Sequence, residues 1–425
     1  MALGVIMAVA TPAGSLARDH ARPSPSSLTD PAIGHLADLA QSSAWDGAGL
    51  LTVLGGIADP RCRRGIRHRL PAIVGLAVCA ALAGARSFTA IAEWAADADE
   101  ATLAGLGVTG AVPSESTFRR TLQHLDADAL DAAAGAWAQR RTMPRRKARR
   151  VIAVDGKTLR GSGAGGEDGR HLLAALDQAH GVVLGQVGVE AKTNEIPMLP
   201  ALLDRIAIGG AVITADALHA QREHARYLAR RGAHYILTVK GNQPGLHAQL
   251  KALPWREVPV TSDTRGRSHG RREHRTLKVI AVAQGLAFPH ATQAIQVIRR
   301  RATARTGKKR QWSAETVYAI TSLTAAQASP SKLAAMLRGH WAIEDRLHWI
   351  RDVIYDEDRS QIRTASGPRV MAALRNLAIS ILRLAGHACI AARPALPRPA
   401  TRPAPTDPHE VLTGFAGALG GRLGI

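Results

Sequence analysis

The chain has 425 residues, 46% of them hydrophobic and 21% charged, a globular composition long enough for two or three domains with cores of their own. That excludes a wholly disordered or fibrous protein. Lys and Arg number 55 against 34 Asp and Glu, for a formal charge of +21. The richness in Arg and Ala is that of a GC-rich genome. The surplus of positive charge is not explained that way and favours a polyanionic partner, most often nucleic acid.

Cys62, Cys79 and Cys389 are too few and too scattered for a disulfide framework or a CxxC metal site, which fits a reducing cytoplasm. The opening Met1–Ala10 is apolar without a positive n-region and Pro12 follows, which argues against a signal peptide. Leu70–Ala85, the longest apolar run, is shorter than the roughly 20 residues of a membrane span and is interrupted by Pro71 and Gly75. It reads as a buried helix of a protein with no membrane partner.

In chain order, residues 1–47 read as an Ala/Ser/Pro-rich lead-in. Residues 48–139 read as a helical N-terminal region, with helices expected at Leu70–Leu82, Phe88–Ala96, Ser114–Leu125 and Ala129–Ala138. Pro113 marks a helix start, with Ser114 or Ser116 as N-cap. Arg119 and Arg120 on that helix suit either a DNA recognition helix or a solvated face. Residues 140–150 form a basic linker that contains Arg145, Arg146 and Lys147.

Beyond the linker the pattern becomes β-rich. Strands are expected at Val151–Asp155, His171–Asp177, Val182–Val189, Ala211–Ala215 and His234–Val239, with helices at Ile196–Ile206 and Arg222–Arg231. This is an α/β pattern, a mixed sheet with helices on its faces. Residues 255–312 read as a β-rich basic insertion around strands Leu277–Val282 and Ala294–Ile298. Thr316–Thr321 is a further strand, followed by a long helix at Ser331–Tyr355 and another at Val370–Leu384. Residues 391–425 form a Pro-rich tail.

Asp155 and Asp216 stand at the ends of short apolar strands, and Glu344 lies on the long amphipathic helix, with Asp345, Asp352, Asp356, Glu357 and Asp358 as rivals close in sequence. Acids on rigid elements at a sheet edge can hold hard divalent cations, Mg²⁺ or Mn²⁺. A strand-end Asp is also a common cap or turn former. A zinc site at His340, Glu344 and His348 is rejected, because the two histidines would be about 12 Å apart along a helix. The Gly161–Gly166 run matches a nucleotide-binding fingerprint in letters only, because no helix starts at its third glycine.

These acids sit in longer motifs: Ile57–Leu70, Ser87–Trp94, Val154–Lys157, Ala191–Glu195, Thr214–His219, Lys240–Gln243, and Arg338–Glu344 through Leu347–Trp349 to Asp356–Asp358. In that order the chain resembles the DDE transposases of bacterial insertion sequences, most closely the ISAs-one group, also met as H-repeat-associated proteins. The resemblance spans roughly residues 50–385. It implies an RNase H-like catalytic domain over 151–254 and 313–390, interrupted by the 255–312 insertion and preceded by an all-α N-terminal domain. It further implies that Asp155, Asp216 and Glu344 hold two Mg²⁺ or Mn²⁺ ions and catalyse phosphodiester hydrolysis at element ends, then strand transfer into target DNA.

The related IS-four transposases carry Y-x-x-R-x-x-x-E-x6-K around the glutamate, where this chain has Leu337, His340, Glu344 and Arg351. His340 and Arg351, on the helix face of Glu344, are expected to bind DNA phosphates. Lys157, Lys192, Lys240, Asn242 and Gln243 are secondary candidates near the site. The expected partners are double-stranded DNA, as terminal inverted repeats and target, and a second copy of the chain in a synaptic complex. The alternative is a decayed transposase retained as a DNA-binding or regulatory protein.

Overall fold

The computed structural model describes residues 47–390, apart from residues 65, 145–147, 164–168, 191–192, 269–270, 283–285, 304–310 and 388–389. The expectations for the lead-in up to residue 46, the tail after 390, much of the glycine run, Arg145, Arg146, Lys147 and Lys192 lie outside the described residues.

Among the described residues six helices come first: α1 (Gly47–Gly55), α2 (Leu70–Leu82), α3 (Phe88–Asp97), α4 (Glu100–Gly105), α5 (Glu115–His124) and α6 (Ala127–Arg141). All residues of α2 except Pro71 are buried, so its all-round apolar sequence makes it a core helix. Among the described residues no helix is long and apolar enough to cross a membrane. Ser87, Asp99 and Asp126 cap α3, α4 and α6 by accepting backbone N–H bonds. Ser114 holds the N-cap position of α5, but its hydroxyl meets those of Ser116 and Thr117 instead.

The sheet elements follow as β1 (Val151–Leu159), β2 (Arg170–Asp177), β3 (Val182–Val189), α7 (Met198–Leu203), β4 (Val212–Ala215), α8 (Arg222–Arg230), β5 (His234–Val239) and α9 (Pro244–Ala252). Then come β6 (Ser262–Ser268), β7 (Arg271–Ala281), β8 (Gln293–Thr303), β9 (Gln311–Thr321), α10 (Pro330–His340) and α11 (Gly367–Leu384). The nine strands form one mixed sheet in the order β3-β2-β1-β4-β5-β9-β8-β7-β6. Only the β1–β4 and β4–β5 pairs are parallel.

The expected elements are present, with differences in extent and with α1, α4 and α9 in addition. β1 continues past Asp155 because it pairs with β2 as far as Leu159 opposite Arg170. Asp155 is therefore mid-strand, although the pairing with β4 ends one residue before it, at Val154 opposite Ala215. The 255–312 stretch extends the main sheet, since β7 and β8 continue the ladder from β9. β6 (SDTRGRS) has no apolar residue to betray it. Lys240–Gln243 is the lead-in to α9, whose first residue is Pro244. The long helix expected to Tyr355 changes character after His340: its hydrogen bonding becomes π-type over Glu344–His348 and Ile350–Ile354.

Strand alternation divides the core between the two faces of the sheet. Ile152 and Val154 pack with Leu199, Leu202, Leu203 and Leu228 of α7 and α8. Ala153 joins the opposite cluster, which contains Phe118 and Leu122 of α5, Ile343, Leu347 and Tyr355 of the distorted helix, and much of α11. The N-terminal helices thus share one core with α11 and with the segment that carries Glu344.

Candidate active site

The period of two that sends Ala153 toward the distorted helix sends Asp155 and Lys157 the same way. Asp216 follows β4 immediately, next to Asp155 in the parallel register, and its Oδ1 accepts from Leu218 N–H at 2.9 Å. The helix opposite supplies three groups. His348 Nδ1 lies 3.1 Å from Glu344 Oε2 and 3.8 Å from Asp155 Oδ2. Lys157 Nζ pairs with Asp352 at 2.6 Å. Asp155, Glu344 and His348 place one ligand atom each within 4.8 Å of one another.

The electrostatics are those of crowded carboxylates. Burial, then repulsion from Asp216, and further from Glu195 and Glu344, pushes the Asp155 carboxyl up to about 7. Glu344 is held below its ordinary value by the hydrogen bond from His348, with Lys157 adding positive charge nearby. Burial keeps His348 on the neutral side, and its Nε2 is buried without a partner. A neutral imidazole that donates from Nδ1 to Glu344 fits both observations.

Two expected phosphate ligands are not available in this arrangement. Arg351 is fully buried: its Nε donates to Glu357 Oε2 at 2.8 Å, its Nη2 lies in ion-pair contact with the same oxygen at 2.8 Å, and Nη1 reaches Gln186 at 3.2 Å. Glu357 is shared with Arg375, also at 2.8 Å. The cause is the π-type hydrogen bonding, in which Trp349 N–H reaches Glu344 O and Tyr355 N–H reaches Ile350 O. Each such turn adds a residue and rotates the face on which 3.6-residue spacing places Arg351. His340 is 9% exposed, meets Thr214 Oγ1 at 3.3 Å, and is pushed by burial down to about 4, so it is neutral near pH 7. It lacks the charge that a phosphate contact would use.

The other candidates divide by surroundings. Arg119 is exposed and paired with Glu115 at 2.7 Å, whereas Arg120 lines an open groove of about 960 Å³. Arg61, Arg64, Arg67, His68 and His124 line the same groove, and among the described residues no acid does. A second groove, about 620 Å³, lies between the β6–β7 hairpin and α10. It is lined by Arg265, Arg275, Arg338 and Arg346 with the exposed Trp341, and by the acids Glu273 and Asp345. Lys240 is exposed. Asn242 donates to Ala217 O, which ties its turn to the segment after Asp216. Gln243 reaches Gln221 at 3.4 Å.

Glu195 and His348 entered the site from the fold. Glu195 ends the Lys-Thr-Asn-Glu motif, but nothing in its spacing placed it beside Asp155. His348 stood one α-helical turn after Glu344, and that spacing was the available signal.

A large mixed sheet with helices on both faces sets Asp155 of β1 beside Glu344 and His348 of the distorted helix, a group of side chains that could hold a metal ion. Residues 146–381 match the family model for the transposase DDE domain, and residues 51–138 match the model for the region associated with it. The chain is 32% identical over 345 residues to "Putative transposase YncI" of Escherichia coli O157:H7, covering 79% of this chain and 87% of that protein. It is 28% identical to "H repeat-associated putative transposase YhhI" of Escherichia coli K12, covering 77% and 88%. A solved piggyBac transposase synaptic complex with hairpin DNA aligns at a TM-score of 0.37 and 11% identity, over 84% of this chain and 73% of that one. That last likeness is too loose to bear on the site. The chain belongs to the DDE transposases, in the group of the H-repeat-associated proteins.

Proposed function

We propose that the chain is a catalytically intact transposase that hydrolyses the phosphodiester at the ends of its element and transfers the freed 3′-hydroxyl into target DNA. The observation that supports this reading is the approach of Asp155 to Glu344 and His348, with Asp216 following β4 next to Asp155 in the parallel register. We read the five strands β3-β2-β1-β4-β5 as an RNase H-like core, the 255–312 stretch as an insertion and the N-terminal helices as an associated all-α domain.

The donor set fits hard divalent cations. Its groups are mainly carboxylate oxygens, and their mutual repulsion at Asp155 is of the kind that a cation's charge relieves. Two Mg²⁺ or Mn²⁺ ions, when bound, supply activation of the attacking water or hydroxyl and stabilisation of the leaving oxygen. Asp155, Asp216 and Glu344 would hold them. His348 orients the Glu344 carboxylate, and the Lys157–Asp352 pair fixes the helix against β1. The partner is double-stranded DNA as inverted repeat and target, with two copies of the chain pairing the two ends. The basic groove beside Arg120 and the groove between β6–β7 and α10 are the surfaces with the charge to hold phosphates, in place of His340 and Arg351.

The test is cleavage by the purified chain of duplexes carrying the DNA that flanks its gene, in Mg²⁺, with Glu344→Gln as control. Nicking at a repeat boundary that the control lacks is the expected result. Specific binding by both proteins without cleavage by either would make the chain a DNA-binding regulator instead.

A further inference from the structure

Glu195 lies between β3 and α7, outside the three acids assigned above, and its side chain is only 16% exposed. Both of its oxygens are engaged. Oε1 lies 2.7 Å from His171 Nε2, and Oε2 lies 3.1 Å from His219 Nε2. His171 is on β2, and its Nδ1 meets Thr158 Oγ1 of β1 at 2.9 Å, across the rung that pairs the two residues. His219 is wholly buried, three residues after Asp216. His224 lies between the His219 carbonyl oxygen, 3.1 Å from Nδ1, and Ile196 O, beside Glu195 and 2.8 Å from Nε2, so that its ring can donate to one of the two when neutral.

The carboxylate also lies against Gly156. A Cβ at that position would come within 2.2–2.7 Å of three Glu195 carboxyl atoms, which are its three nearest neighbours. Successive strand residues face opposite ways, so Asp155 faces the Glu344 helix while Gly156 faces Glu195 from the other side of β1. A methyl at 156 would therefore displace the Glu195 carboxylate from its place between the two histidines.

We propose that Glu195 is a positioning residue of the active site: through Gly156 and His171 it fixes the strand of Asp155, and through His219 it fixes the turn of Asp216. It sets the separation of the two acids that bind metal. Its own oxygens already serve two histidines, which distinguishes it from the metal-holding carboxylates. This inference rests on the transposase reading for the identity of the metal-holding acids.

The experiment measures Mn²⁺ binding to the full chain by the loss of the free-ion electron paramagnetic resonance signal, alongside cleavage kinetics and thermal melting. Removal of an outer-sphere partner of a metal site costs about 10–100-fold in affinity or activity. Glu195→Gln is expected to weaken Mn²⁺ binding by about tenfold or more and to lower kcat with little change in the half-saturating DNA concentration. Gly156→Ala should reproduce that loss with Glu195 chemically intact. The double variant Glu195→Ala/Gly156→Ala should bind Mn²⁺ no worse than Glu195→Ala alone, because the methyl then meets no carboxylate.

Mn²⁺ affinity within twofold of the unaltered chain for both Glu195→Gln and Gly156→Ala overturns the proposal. So does a Gly156→Ala loss that adds in full to that of Glu195→Ala, since the glycine would then act independently of Glu195. If the unaltered chain binds no Mn²⁺ and cleaves no DNA, the reading of the acids as metal ligands fails and the proposal fails with it. Binding and cleavage by the unaltered chain with indifferent Glu195 variants removes the proposal alone.

Discussion

Lys157 and Asp352 form an ion pair at 2.6 Å two residues beyond Asp155 on β1 and eight beyond Glu344 on the distorted helix. Together with the contact of His348 with Glu344 and Asp155, it makes a second rung between strand and helix. Glu344 itself is on an open side of the site, its side chain 59% exposed. Its position is therefore set by what the helix does on either side of it.

Breaking the rung should detach the helix locally. Lys157 is largely buried and Asp352 partly exposed, so Lys157→Met should cost between the values for exposed and buried pairs, about 1–3 kcal/mol. Cleavage should fall by more than binding of duplex DNA. Urea melts and a double-mutant cycle with Asp352→Asn check this, and the coupling should account for most of the loss.

The pH dependence has a definite direction. Asp155 is raised from 3.8 to about 7, and Asp131, on the buried face of α6, is raised to about 7 as well, chiefly by burial. Between these two values the folded chain holds protons that the unfolded chain has released. Stability from these groups is therefore fully present below the unfolded value and falls as pH rises through 7. A divalent cation competes with the Asp155 proton, so Mn²⁺ should raise the melting temperature more at about pH 8 than at about pH 6. Asp155→Asn should abolish that difference, while Asp131→Asn should leave it in place. Scanning calorimetry at the two pH values measures both.

Glu357 holds two buried guanidinium groups, those of Arg351 and Arg375. Glu357→Gln leaves uncompensated positive charge in the core and should destabilise the chain by about 3–5 kcal/mol. Arg351→Gln should likewise lower stability. Under conditions where that variant remains folded, the salt dependence of its DNA binding should match the unaltered chain. A slope reduced by about one would instead make Arg351 a phosphate contact.

The groove beside α5 gives the opposite expectation. Arg64, Arg67 and Arg120 line it and are exposed. Replacing any one with Gln should leave the melting curve unchanged and reduce the slope of log affinity against log salt by about one. Arg119→Gln, whose partner is Glu115, should change that slope less. Fluorescence anisotropy with a labelled duplex at several salt concentrations separates the four variants.

Much of this protein can be read from residue order. Short-range chemistry forms the elements: alternation in Val151–Asp155, the apolar run of α2, and acids or hydroxyls at the helix starts. Those signals depend on neighbours a few positions apart; they offered Asp155 and Asp216 as strand-end acids, and the family resemblance selected Glu344 among the acids of its helix. Signals weakened where polar residues fill a strand, as in β6, or where a turn runs into a Pro-led helix, as in α9.

Tertiary structure decided the rest, because it depends on which distant groups meet. Two turns of π-type hydrogen bonding rotated Arg351 from the expected DNA face into a buried pair with Glu357, and 3.6-residue periodicity cannot foresee such a change of phase. Burial against Thr214 left His340 neutral. Glu195 reached the back of Gly156 only because the sheet brings β1, β2 and the turn after β4 to one place. Sequence spacing determines which residues share a face of one element; the packing of separate elements determines which of those faces touch.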